Sequence, residues 1–185
     1  MEYEVIRSRR KTLSAQIRQN KLVVRAPLRT TDAEIRQFLE KHRRWLEKHL
    51  AEAKALEDAK AGMRRLTEAE IAELTRRARQ VIPQRAAYYA PLIGVDYGRI
   101  TIRCQKMRWG SCSAKGNLNF NCLLMLAPSG VIDSIVVHEL CHRKYMNHSQ
   151  KFYAEVQRVL PEYGQHQKWL KEHGEMILAM AENAE

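Results

Sequence analysis

Val136-Val137-His138-Glu139-Leu140-Cys141-His142 is the stretch on which the reading of this chain turns. It sets two histidines four residues apart, with a glutamate after the first, inside an apolar run. On a helix of 3.6 residues per turn, His138 and His142 lie about 40° apart around the axis and about 6 Å along it. Their imidazoles can therefore converge on one ion. Glu139 sits beside His138, where it can touch a water held by that ion without ligating it. Val131, Ile132, Ile135, Val136, Val137, Leu140 and Cys141 make the segment apolar nearly all round, which predicts a buried helix. Two histidines and a glutamate on such a helix need compensation, and a divalent metal supplies it directly. Cys141 points about 100° away from His142 and is expected in the core.

A catalytic site with three protein ligands needs one more donor, and His148 follows in Tyr145-Met146-Asn147-His148-Ser149. Asn147 tolerates left-handed backbone, so the chain can turn there and return His148 to the metal. Three neutral imidazoles predict one zinc ion per chain with an open position for water. Zinc lowers the pKa of that water towards about 7, and Glu139 is placed to act as general base. Tyr145, Tyr153 and His166 are candidates for steadying a developing oxyanion, and each also reads as a packing residue. The spacing from His138 to His148 equals that of the metzincin proteases. Their pattern has Gly where this chain has Tyr145, and no Met-turn follows, so that fold is not carried over.

With its neighbours included, the chain resembles the YgjP-like family of metallopeptidases, which is related in pattern to the SprT-type metalloproteases. The resemblance rests on Arg108-Trp109-Gly110-Ser111-Cys112-Ser113, Gly116-Asn-Leu-Asn-Phe-Asn121, His138-Glu-Leu-Cys-His142, and Met146-Asn-His-Ser149 with Phe152. Arg9-Arg10-Lys11-Thr12, Val24-Arg25-Ala26-Pro27 and Trp45 extend it over nearly the whole length. It implies zinc held by His138, His142 and His148, with Glu139 as base. One departure is Arg143-Lys144-Tyr145, where relatives tend to carry Leu first; it predicts a more basic rim. The resemblance leaves the substrate open, since a nucleotide pyrophosphatase activity is also attached to the family.

Outward from the motif, Asn117-Leu-Asn-Phe-Asn-Cys-Leu-Leu-Met-Leu126 alternates and then turns wholly apolar. It reads as the second strand of a hairpin entering the core, with Gly110 to Gly116 as the connection. By analogy with zinc peptidases, this strand can pair with an extended substrate, making Asn119 and Asn121 candidate contacts. Trp109, beside Arg108, either stacks on substrate or anchors its turn to the core. The active helix is expected from Val131 to about Lys144, a helix capped by Ser149 follows, and a last helix covers about Gln165 to Met180.

Towards the N-terminus, Tyr3–Arg7, Thr12–Arg18 and Leu22–Ala26 predict an antiparallel meander with a turn at Asn20-Lys21, stopped by Pro27. Thr31-Asp-Ala-Glu34 is a capping box, and the helix it opens should run to about Lys60 before Gly62. A second capping box, Thr67-Glu-Ala-Glu70, opens a helix that Pro83 should kink or split, ending at about Tyr89. The expected fold is α+β, with N-terminal antiparallel strands, a helical middle and a C-terminal zincin-like core. Its H-E-x-x-H helix lies beside a small sheet. The expected division is 1–62 and 63–185, or a single domain 1–185.

The 185 residues suffice for a buried core, and 45% apolar with 29% charged excludes disorder. No run reads as a membrane span, and the first twenty residues carry arginines without an apolar h-region. Cys104, Cys112, Cys122 and Cys141 lack C-x-x-C spacing, which with the above predicts a reducing, cytoplasmic setting. The net charge of +11 is uneven: +8 over residues 1–65, 0 over 66–98, +5 over 99–128 and −2 over 129–185. Such a balance suits an anionic partner or simply a solvated surface. Hence peptide or unfolded protein is the first substrate expectation. A nucleotide (a UTP-type pyrophosphohydrolase) and nucleic acid bound by a basic protein with structural zinc are the alternatives. Against them stand the missing P-loop, the missing acidic cluster and the catalytic-looking Glu139.

Overall fold

A computed structural model describes residues 2–18 and 21–181. The chain divides into two compact units, Met1–Met63 and Arg64–Glu185.

The first unit holds strands β1 (Tyr3–Ser8), β2 (Ser14–Arg18) and β3 (Lys21–Pro27), then helices α1 (Asp32–Lys41) and α2 (Arg43–Ala61). The strands are not a meander. Their order is β1-β3-β2, with β2 antiparallel and β1 parallel to β3. The reason lies in composition: β3 is the most apolar, burying Leu22, Val23, Val24 and Ala26, so it takes the centre and is paired on both sides. The turn read at Asn20 lies outside the described residues. Thr31 and Glu34 form the expected capping box. The single helix expected after it is broken at His42, where φ is −107° and ψ 10°. Gly62 closes α2 as read. Ile35 and Leu46 are the buried helix residues, packing with Leu22, Val24 and Ala26.

The second unit begins with α3 (Glu68–Ile93), opened by the Thr67–Glu70 capping box. Pro83 does not divide it. Leu74, Ala78, Ile82, Ala86, Ala90 and Ile93 form one buried stripe on both sides of the proline, and their packing outweighs one lost backbone hydrogen bond. Pro91 also lies inside the helix, and Gly94 ends it in the left-handed conformation (φ 76°).

The second sheet follows as β4 (Ile100–Arg103), β5 (Gly110–Cys112) and β6 (Leu118–Asn121). Part of the stretch expected as a connection is therefore itself a strand. β5 and β6 form the antiparallel hairpin, Gly110 facing Phe120, and β4 adds parallel to the other side of β6. The order β4-β6-β5 puts Leu118 and Phe120, both fully buried, on the central strand. After Asn121 the chain coils into a short 3-10 helix, Cys122–Leu126, where continued strand was expected. Asn121 ends the strand: its side-chain oxygen accepts from the Leu123 N–H and caps the turn. Helices α4 (Ser129–Cys141), α5 (Gln150–Val159) and α6 (Tyr163–Ala179) complete the unit, with α4 packed against α3, α5, α6 and β5.

Candidate metal centre

Ten of the thirteen residues of α4 are buried, Asp133, Ser134 and Glu139 among them, so these polar side chains have no solvated face. His138 and Glu139 lie in its last turn, and His142 is its C-cap with helical φ and ψ, so the four-residue spacing is kept. The helix ends at Cys141 rather than Lys144. It unwinds through a turn in which the Cys141 carbonyl accepts from the N–H groups of Lys144 and Tyr145. Ser149 then caps α5 by accepting from the Phe152 N–H, and His148 stands just before that cap.

This path brings the three imidazoles together. Ring centroids are 4.9 Å apart for His138 and His142, 5.0 Å for His138 and His148, and 4.8 Å for His142 and His148. One nitrogen from each falls within 4.8 Å of the others. The Nε2 atoms of His138 and His148 are 3.0 Å apart. Two nitrogens on a tetrahedral zinc at bond lengths of about 2.05 Å stand about 3.3 Å from each other, so the spacing suits such an ion.

Two of the opposite nitrogens are already engaged. The Nδ1–H of His142 donates to the Tyr145 carbonyl at 3.0 Å, and His138 Nδ1 pairs with the Tyr163 hydroxyl at 2.8 Å. Both bonds turn Nε2 inward. Phe152, fully buried, is the shared floor: it stacks on His142 at 4.7 Å and meets His138 and His148 edge-on at 4.9 and 5.0 Å. Burial, with its two histidine neighbours, pushes the His138 pKa down to about 3, and burial also lowers that of His142. Neutral imidazole is the form that binds a cation.

Glu139 is 5% exposed, and burial raises its pKa to about 8. Its Oε2 has no hydrogen-bond partner among the described residues. β5 crosses directly over it, so close that a Cβ on Gly110 would stand 2.7 Å from Oε1. Three inward neutral nitrogens are a donor set that suits zinc, and a dication held by them would favour the charged form of the buried Glu139 carboxyl beside it.

Gly110, His138, Glu139, His142, His148 and Phe152, all within the second unit, therefore meet at one place. The metallopeptidase domain described as YgjP-like matches residues 11–73 and 64–173. This chain belongs to the YgjP-like metallopeptidase family. Two solved structures are also similar to part of it. The metallopeptidase zymogen abylysin of Pyrococcus abyssi is 22% identical with a TM-score of 0.45, covering 50% of this chain and 94% of its own. The zymogen jannalysin of Methanocaldococcus jannaschii is 20% identical with a TM-score of 0.44, covering 49% and 94%. Among curated proteins none matches the sequence.

The other residues singled out in this YgjP-like chain are distributed unevenly. Tyr153 lies against the cluster, its ring 6.1 Å from that of His148 and 41% exposed. Tyr145 contributes its carbonyl. His166 packs on Gly130 at the start of α4, eight residues and so about 12 Å of helix rise from His138, too far to reach the imidazole cluster. Asn121 is fully buried: its amide donates to the carbonyls of Gln105 and Arg108, while its oxygen also accepts from the Gln105 N–H. Asn119 donates to the Ser111 hydroxyl across the hairpin. Their strand, β6, is central, so it offers no open edge to a peptide; β5 is the edge beside Glu139. Trp109 packs on α6, its ring 3.2 Å from where a Gly174 Cβ would stand, and Arg108 is exposed. The expected basic rim is neutralised, because Arg143 pairs with Asp96 and Lys144 with Glu155. Sequence reasoning missed Gly110, Phe152 and Tyr163 as parts of the site. Gly110 and Phe152 lay in the quoted motifs, but nothing in the sequence marked Tyr163.

Proposed function

We propose that the protein is a zinc-dependent peptidase in which His138, His142 and His148 hold the metal and Glu139 is the general base. The observation that carries this is the convergence of three inward-facing imidazoles on one point beside a buried carboxylate with an unpartnered oxygen. Zinc held there would supply an acidified water and polarise the scissile carbonyl. Glu139 takes a proton from the attacking water and delivers it to the leaving amine. Burial raises the affinity of that carboxyl for a proton, and a zinc ion beside it would favour the charged form that acts as base. β5 holds Glu139 in place and presents its free edge to an extended substrate backbone. Tyr153, exposed with its ring 6.1 Å from that of His148, is the group assigned to steady a developing oxyanion. The peptide reading is favoured over nucleotide or nucleic acid because the basic residues that directly follow His142, Arg143 and Lys144, are already paired.

The test is metal analysis followed by paired assays on casein and on nucleoside triphosphates, each with and without chelator. The expected result is about one zinc per chain, cleavage of casein alone, and loss of cleavage with retained zinc in Glu139→Gln. Triphosphate hydrolysis without proteolysis, or a Glu139→Gln variant as active as the parent, would overturn the proposal.

A further inference from the structure

β4 is the other margin of the second sheet, and it is unlike β5. The Leu118 N–H bonds to the Arg99 carbonyl, which fixes the phase of the parallel ladder. In that phase residues 99, 101 and 103 turn their backbone groups towards β6, and Ile100 and Ile102 turn theirs to the open side. No hydrogen bond occupies those outward groups among the described residues. The Ile100 and Ile102 side chains pack against the core, so the strand is fixed in place.

A groove of about 460 Å³ runs along this margin, lined by Arg79 and Pro83 of α3 and by Arg99 to Arg103. Three arginine side chains meet there. Arg79, Arg99 and Arg103 are all exposed, and among the described residues none of their guanidinium groups makes an ion pair or hydrogen bond. No acidic residue occurs anywhere from Arg99 to Pro128. Pro83 adds a backbone acceptor, since it has no N–H to give the Arg79 carbonyl one turn earlier.

We infer that this margin is a docking site for an extended acidic peptide, separate from the histidine cluster and independent of its reading. The peptide pairs as a fourth strand with the free groups of Ile100 and Ile102. Acidic side chains at alternate positions reach Arg99 and Arg103 on one face, with Arg79 closing the groove from the helix. The charge decides the occupant. Three arginines repel a second copy of the same edge, and a neutral strand leaves them unmatched. A nucleic acid satisfies the arginines but has no peptide N–H and C=O array for the strand.

The experiment is fluorescence anisotropy with a labelled peptide of alternating Glu and Val. Chelator is present throughout, so that turnover cannot consume the probe. The same peptide with N-methyl groups at alternate residues, a Lys/Val peptide and a single-stranded oligonucleotide of equal charge serve as comparisons. Saturable binding of the Glu/Val peptide is expected. It should weaken at least about tenfold on N-methylation and at least about tenfold in the doubly reversed Arg99→Glu, Arg103→Glu chain. Arg79→Glu, on a helix surface, gives a second variant whose folding is not in question. Equal binding of the N-methylated peptide or the oligonucleotide would overturn the proposal, as would unchanged binding in folded reversal variants.

Discussion

Gly110→Ala puts the placement of the carboxylate to a quantitative test. A Cβ at Gly110 would stand 2.7 Å from Glu139 Oε1, 2.8 Å from Cγ and 3.0 Å from Cδ. Ordinary contact begins near 3.4 Å, so the carboxylate must retreat by about 0.4–0.7 Å. β5 cannot yield freely, because Gly110 pairs with Phe120 on the central strand. α4 cannot yield either, because Val137 and Leu140 on both sides of Glu139 are fully buried. The side chain takes the displacement, while His138, His142 and His148 are untouched by the new methyl group. A misplacement near 1 Å at a reacting group costs about 10²-fold, so kcat on casein should fall about 10- to 100-fold. Zinc affinity should stay within about threefold, and overpacking should cost about 1–3 kcal/mol in urea unfolding. The assay is kcat measured beside zinc competition with a chromophoric chelator. Parental kcat in a folded Gly110→Ala chain would refute the reasoning, and so would loss of zinc in step with loss of activity.

Two other perturbations separate the roles further. Tyr163→Phe removes only the hydroxyl that holds His138 Nδ1, and zinc affinity should fall about 10- to 100-fold with little change in the stability of the metal-free chain; equal affinity would show that the hydroxyl does not orient the ring. Glu155 is held down to about pKa 2, first by its hydrogen bond with Arg158 and then by Lys144. Its folded pKa lies below the ordinary glutamate value of 4.5, so its contribution is whole above that pH and is lost as pH falls through about 2. Against Glu155→Gln, the difference in urea stability should be about 1–2 kcal/mol at pH 7 after allowing for partial solvation, and should vanish towards pH 2. A pH-independent difference would contradict this assignment.

The legible parts of the molecule were those in which one local signal had no rival. The capping boxes at Thr31 and Thr67 and the cap at Ser149 each announce a helix through a side chain that satisfies a free N–H a few residues on. The all-apolar flanks of His138 and Glu139 announce a buried helix in the same way. Strand partners were less legible, because pairing depends on which segment is apolar enough to sit in the middle. β3 and β6 both take that place, and in each sheet an earlier strand is forced to join in parallel. Pro83 did not split its helix, because its cost is local and the stripe from Leu74 to Ile93 is not. Within the site, the spacing of His138, His142 and His148 could be read along the chain. The contacts of Gly110 and Tyr163 could not, since they come from a strand and a helix that reach Glu139 and His138 only after the sheet and α6 have packed.

The order β4-β6-β5 leaves the smaller sheet with two unsatisfied borders, and strands spaced at about 4.8 Å put those borders only about 10 Å from each other. A chain anchored along one border thus has its flanking residues within a short tether of the other. Its local concentration there is governed by the length of the intervening loop and no longer by how much of it is dissolved in the surroundings.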